Sequence, residues 1–323
     1  MGLCSRAPWL GALALAAATS AASAQGAFPA KPLTFVVPAA AGGPTDTVAR
    51  LVGESMQRTL GQTVIIENVG GAGGTIAMAR VAKAAPDGYT VAVWHVGQAT
   101  APALYDNLRY DVINDFDSIG RITDVPMTLV SKTALPTKDV KELLAWIKAQ
   151  NGKATYGHAG VGSSNYLICK AFVQAAKIDV TLVSYRGGGP ALNDLLAGQI
   201  DGVCDNAASI APSIQGGLTN GVVIGMPRRL HSLPNVPTSI EAGLPEFQLQ
   251  GWNGLFAPKG TPQPMIDKLN AALRKGVASE TYQKRLDDLG ALPPSDEEMS
   301  AAYLKQFVPA EIEKFKTLLA EKK

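Results

Sequence analysis

Small, polar, glycine-rich corners carry most of the chemistry this sequence can offer. Pro38 to Arg50 reads PAAAGGPTDTVAR, with two glycines followed by Pro44, Thr45 and Asp46. Such a corner presents bare backbone N–H groups and the positive end of a helix dipole, which suits an anion. Its candidates are Ala41, Gly42, Gly43, Thr45 and Asp46. Gly160 to Asn165 (GVGSSN) places Ser163, Ser164 and Asn165 at a second helix start. There hydroxyls and an amide can cap the helix or bind an oxyanion, and the two roles compete for the same atoms. Tyr185 to Pro190 (YRGGGP) adds Gly187 and the cation Arg186, and Asp205-Asn206 closes a later apolar run. Trp94, His95 and Gln98 follow another such run. An aromatic ring and an imidazole on a pocket wall would suit a flat or longer acid. Asp46 and Asp205 would repel an anion at contact, so they are expected to cap helices, bind water, or accept from an amine or hydroxyl.

Other chemistries find less support. The histidines are His95, His158 and His231. A Ser163–His158–Asp205 triad can be drawn, but GVGSSNY holds no G-x-S-x-G elbow, and nothing in the spacing brings the three together. The sequence therefore reads as a binding protein, not an enzyme. Neither cysteine of the pair Cys169 and Cys204 lies in a C-x-x-C, and no His/Cys cluster has zinc spacing. Neither the dinucleotide fingerprint nor a P-loop is met: from Gly71 the G-x-G spacing holds, but Ile76 stands where the last glycine belongs. No cofactor is expected.

The elements around these corners alternate between apolar β-branched runs and helical periodicity, which indicates an α/β fold. Strands are expected at Leu33–Val37, Thr63–Glu67, Thr90–Val93, within ATYGH and VTLVSY, and around Gln199–Cys204. Each leads to a small polar turn, and strand C-terminal ends are where open α/β sheets bind ligands. The turns divide between two halves of the chain, which predicts two lobes facing a cleft. IGRITDVPMTLVSK holds two apolar runs split by Pro126 and reads as a crossing between lobes, not one strand. A helix capped at Thr137 follows, and the C-terminal helices are expected to include a capping box at Ser295–Glu298 and an interruption at Pro309.

The chain has 323 residues, 46% hydrophobic and 17% charged, a globular composition with a formal charge of +2. Near-neutrality and the lack of a Lys/Arg block argue against nucleic acid as a partner. Residues 1–24 read as a cleaved signal peptide: Arg6, an apolar core from Trp9 to Ala18, and Ala22-Ser23-Ala24 as the cleavage site. Cys4 leaves with that peptide. The mature product is expected to be exported, periplasmic in a bacterium, and not membrane-embedded. There Cys169 and Cys204 could pair, although two separately buried thiols are the simpler reading.

The stretches PAAAGGPTDTVAR, ENVGGAGG, AAPDGYT, GVGSSNYL, YRGGGPALNDLLAGQIDGVCDN, LPNVPTSIEAGLPEF and GWNGLFAPKGTP occur in an order that resembles one family. That family is the Bug-type solute receptors, the periplasmic substrate-binding components of tripartite tricarboxylate transporters. The resemblance spans the mature chain. It implies a two-lobed, type II-like periplasmic binding protein with two crossing segments and a central cleft. Lobe one would comprise residues 25–124 and 250–323, and lobe two residues 125–249. It further implies a monomer that closes on a small carboxylate, a dicarboxylate or an aromatic acid, and presents it to transporter membrane subunits or a sensor domain. Onto this sequence it carries the first turn, the Ser163–Asn165 turn, Gly187, Asp205 and Asn206. One departure stands out: the family often has a His where this chain has Tyr166.

Overall fold

A computed structural model describes residues 28–39, 41–42, 44–160, 163–185 and 187–320. The expected signal peptide, Gly43 and Arg186 lie outside the described residues. In chain order the elements are β1 (Leu33–Val37), α1 (Pro44–Leu60), β2 (Val64–Asn68), α2 (Thr75–Val81), β3 (Thr90–His95) and α3 (Val96–Leu104). Then come β4 (Phe116–Lys132), α4 (Val140–Ala149), β5 (Thr155–His158), α5 (Ser164–Ala176), β6 (Thr181–Ser184) and α6 (Gly188–Leu196). The chain continues with β7 (Gly202–Asn206), α7 (Ala207–Gln215), β8 (Thr219–Ile224), β9 (Gln250–Pro258), α8 (Gln263–Val277), α9 (Glu280–Asp288) and α10 (Ala301–Ala320).

The strands join in the order β2-β1-β3-β9-β4-β7-β5-β6, with β8 also on β4. This is an α/β, two-lobed periplasmic-binding-protein fold, and β4 belongs to both lobes. Its first part, Phe116–Pro126, pairs with β9, and from Met127 it pairs with β7 and β8. β1, Leu33 to Val37, shows why these runs are strands. Leu33, Phe35, Val36 and Val37 are all buried, as in a parallel strand covered by helices on both faces.

Register fixes where the polar turns lie. β3 runs antiparallel to β9, and β9 antiparallel to β4, so His95 at the end of β3 stands level with Asn253 and then Thr123. β7 runs antiparallel to β4 from the other lobe, so its end at Asn206 faces Met127. Both sets of strand C-termini therefore point toward β4 residues 124–126, separated along that strand by only roughly 13 Å, four residues of extended chain. At this junction the fully buried Arg121 reaches Asp124 (2.6 Å) and Glu298 (3.0 Å) and lies over the Phe307 ring. Burial pushes the Asp124 carboxyl up to about 6, against the opposing pull of Arg121.

Four expectations need correction. Residues 116–132 form one strand running straight through Pro126. The proline is tolerated because its missing N–H falls where β4 changes partners, after Gln250 at the start of β9. The α4 cap is Asp139, not Thr137: its Oδ1 accepts from Glu142 N at 2.8 Å, while Glu142 Oε2 takes the Lys138 N–H at 2.8 Å. α10 continues past Pro309, carried by its buried stripe Leu304, Val308, Ile312, Phe315 and Leu318. Cys169 and Cys204 are joined as a disulfide, Cα–Cα 5.5 Å, which ties α5 to β7. The capping box does form, with Ser295 N donating to Glu298 Oε2 at 2.7 Å and Glu298 N to Ser295 Oγ at 3.4 Å.

Candidate binding site

The lobe-one turn is organised by one carboxylate. Asp46, in the first turn of α1, is buried, and its Oδ2 accepts from Gly42 N (2.8 Å) and Arg50 Nε (3.0 Å). Its Oδ1 accepts from Asn68 Nδ2 (3.0 Å), and the same amide nitrogen donates to Ala39 O (3.1 Å). Burial raises the Asp46 pKa, but Arg50, the Gly42 amide and Asn68 outweigh it and hold the carboxyl below its ordinary range. Asp46 is thus ionised and satisfied by N–H donors of the protein itself. Gly42 has φ +81°, a left-handed conformation that favours glycine there. Ala41 and Gly42 are exposed beside it, and Thr45 is half-buried in the same helical turn.

The second glycine-rich turn packs against the first. A side chain at Gly74 would begin 2.7 Å from both Pro38 Cβ and Gln98 Nε2. Gln98 is fully buried: its amide donates to Gly73 O (3.2 Å), and its oxygen accepts from Tyr110 (2.7 Å). It braces this turn with both ends occupied, so its role is positioning. His95 caps α3 by accepting Gly97 N–H at Nδ1 (2.9 Å). Burial pushes the His95 pKa down to about 4, so it is neutral near pH 7 and brings no cation to the site.

Trp94 corrects the pocket-wall reading. β3 is covered on both sides, and its residues alternate between two cores: Val91 and Val93 enter one, Ala92 and Trp94 the other. The Trp94 ring is fully buried, stacked on Phe256 at 4.2 Å and edge-on to Phe116 at 5.1 Å. It lines the core beneath the strand end instead of facing a ligand.

In lobe two the structure gathers Asn165, Asp205 and Asn206 around Gly188, while Gly187 stands at the start of α6 beside them in sequence. Ser163 caps α5, accepting from Tyr166 N (3.2 Å) while its hydroxyl donates to Gly160 O (2.6 Å). Ser164 Oγ approaches Asn165 Oδ1 at 3.4 Å, and buried Asn165 donates from Nδ2 to Cys204 O (3.1 Å). Asp205 is buried, and its Oδ1 accepts from Asn206 N (2.7 Å) and Asn206 Nδ2 (3.0 Å). Asn206 in turn caps α7 through Ser209 N (2.9 Å). Burial raises the Asp205 pKa, opposed by hydrogen bonds from the Asn206 backbone and from the Asn165 and Ser209 side chains. No described hydrogen bond links Ser163, His158 and Asp205. His158 instead accepts Gly160 N–H (3.1 Å), and its ring lies 5.0 Å from that of Tyr166, the residue that departs from the family pattern.

Sequence reasoning missed Asn68 and Gly188. Asn68 stands where β2 meets ENVGGAGG, and that position was its available signal. Gly188 opens α6 with no room for a side chain: a Cβ would fall 2.3 Å from Asp205 Oδ2 and 3.5 Å from Asn165 Nδ2. Gly188→Ala is therefore expected to push the Asp205 carboxyl aside and weaken ligand binding by about 10- to 100-fold, the equivalent of an overpacking strain of roughly 1–3 kcal/mol. Calorimetric titration of the variant checks this, and unchanged affinity would refute it. A surface cavity of about 720 Å³ lies elsewhere, beside Ser131, Asp139 and Val236 at the far end of β4.

Comparison with known proteins adds four relationships. The family model described as the tripartite tricarboxylate transporter family receptor matches residues 48–323. A UPF0065 protein in the TAR-I ttuE-ttuC' intergenic region of Agrobacterium vitis is 43% identical over 300 residues, covering 93% of this chain and 87% of that protein. The solved structure of MatC from Rhodopseudomonas palustris with bound malate is 42% identical, with a TM-score of 0.74 over 90% of this chain and all of that one. A second R. palustris protein, solved with adipate, is 30% identical, with a TM-score of 0.76 over 91% of this chain and 98% of that one.

Proposed function

The chain belongs to the tripartite tricarboxylate transporter receptor family, and from that premise we propose that it captures a small aliphatic carboxylate between its lobes. It then delivers that solute, as an exported monomer, to the membrane subunits of a transporter. The observation that carries this reading is the register of β4. It points the C-terminal ends of β3 and β7 toward the same three residues from opposite lobes, and the Asp46 and Asn165 turns follow their parallel neighbours β1 and β5. Backbone N–H groups at helix starts supply convergent donors without a full counter-charge, and bridging waters extend their reach.

The lobe boundaries of this reading are 124/125 and 249/250; β4 changes partners between Pro126 and Met127, two residues beyond the first, and β9 begins at Gln250 beside the second. The ligand-binding set is Ala41, Gly42 and Thr45 with Asp46 as organiser, joined by Ser163, Ser164, Asn165, Gly187, Asp205 and Asn206. Gly43 and Arg186 remain candidates from the sequence. The neighbours solved with malate and adipate support an aliphatic ligand. With Trp94 in the core, the particular reason to favour an aromatic acid is gone. Binding proceeds by hinge closure, because the ligand touches both lobes in the closed state alone.

A thermal-shift panel of aliphatic, aromatic and amino acids, with phosphate and sugars as controls, tests the reading. A carboxylate at about 100 times its dissociation constant stabilises the folded chain by roughly 2.7 kcal/mol, a clear shift. A shift from phosphate or a sugar, with none from any carboxylate, would overturn it.

A further inference from the structure

Resting on the hinge closure of that receptor reading, we propose that residues 290–292 connect the lobes in addition to β4 and β9. They form a stop, with Gly290 against Ala208, that sets how far lobe two closes on lobe one.

The segment is anchored in lobe one. It leaves α9 with Gly290 N donating to Asp287 O (2.8 Å) and Ala291 N to Leu286 O (2.9 Å). It then lies antiparallel to β4, where Asp124 and Leu292 exchange both backbone hydrogen bonds at 2.9 Å. Thr123 Oγ1 donates to the same Leu292 O (3.1 Å). α9 is itself fastened to β4, since the buried Tyr282 hydroxyl donates to Ile122 O (2.8 Å). Asp124 stands two residues before Pro126, the last β4 residue paired with β9. The segment is thus fixed at the hinge and cannot retreat into lobe one.

Its other side meets lobe two. Leu292 packs on the core that includes Ala207, Ala211, Ile224 and Met226. Gly290 lies on the first turn of α7: a Cβ there would fall 2.9 Å from Ala208 Cα and 3.1 Å from Ala208 N. Those are backbone atoms, which cannot swing aside as the end of a side chain can. α7 is the helix capped by Asn206, so the contact lies beside a turn of the cleft. From the same lobe Arg228 brings Nη2 to 3.9 Å from Asp124 Oδ2. A methyl group at position 290 therefore separates two rigid bodies. Restoring van der Waals contact moves Ala208 by about 1 Å. Acting roughly 7 Å from the Asp124 pairing, two residues of extended chain, that movement turns the lobes apart by about 8°.

The test is the distance between spin labels at Ile76→Cys in lobe one and Asn193→Cys in lobe two, both exposed positions, measured by pulsed electron paramagnetic resonance on the full chain without added solute. Gly290→Ala is expected to lengthen the mean distance on the order of 3 Å, for a lobe rim about 20 Å from the hinge. Gly61→Ala is the control: Gly61 has φ +67° against +60° at Gly290, but its Cβ would meet nothing within 4 Å. It carries the same left-handed strain and is expected to leave the distance unchanged. An unchanged distance in Gly290→Ala, or an equal lengthening in Gly61→Ala, overturns the inference while the receptor reading stands. Should Gly290→Ala fail to fold, Gly290→Asn replaces it, because asparagine accepts a left-handed backbone and carries the same Cβ. If no carboxylate of the wider panel binds, the receptor reading falls, and the label distance, taken without solute, still decides whether the stop exists.

Discussion

Removing the Cys169–Cys204 disulfide, by reduction or by Cys169→Ala with Cys204→Ala, is expected to lower the melting temperature by on the order of 10 °C. The bond closes a loop with a sequence separation of 35. Releasing that loop returns about 4 kcal/mol of chain entropy to the unfolded state. In a protein of this size each kcal/mol moves the midpoint by about 2–4 °C. The bond also sits beneath the binding turns. Cys204 precedes Asp205 and accepts from Asn165, and Cys169 lies one helical turn after Asn165 on α5. Thermal unfolding with and without a reductant measures the effect. Identical midpoints, with free thiols confirmed by titration, would show that the loop is held by packing alone.

Asp46→Ala is expected to cost roughly 3–5 kcal/mol, because it leaves the Gly42 N–H, the Asn68 amide and Arg50 without their shared acceptor. Part of that cost depends on pH. The folded pKa of Asp46 lies below its ordinary value of 3.8. Its ionised form therefore contributes stability that is fully present above that value and is lost as pH falls through the lower, folded value. The gap between the native protein and the variant should stay constant from about pH 7 to pH 5 and shrink only below about pH 4. Urea unfolding across that range checks the sign. A gap that widened on acidification would mean the carboxylate is not the favoured form in the fold.

Much of this architecture was legible because local signals agreed with it. β1 occupies the expected residues, and the turns from Gly42 to Asp205 fall at strand ends as the alternation of patterns requires. The Ser295–Glu298 box also formed where side-chain chemistry placed it. What failed needed information from distant residues. Pro126 looked like a break because a strand interior needs its N–H. Only the pairing of β4 with β9 and then β7 shows that this N–H has no partner to lose. Pro309 looked like a helix end, but the buried face of α10 overrides its local cost. Trp94 was placed by its position at a strand end, and the side of the sheet it faces is set by Phe116 and Phe256, which lie far along the chain. Gly188 carried no separate signal within a run of three glycines, since its constraint comes from Asp205 on another strand.

The pairing of β3 with β9 also orders events on the growing chain. β1, β2 and β3 can assemble as soon as they are made, but the outer edge of β3 waits for Asn253 to Phe256, which come after every strand of the other lobe. At a synthesis rate of about 5–20 residues per second that wait lasts on the order of ten seconds. Throughout it, apolar β3 is an unpaired edge of the kind that recruits other chains. The nascent protein is therefore most prone to aggregation in this interval, and a holding chaperone would act on it before residue 250 emerges, not after.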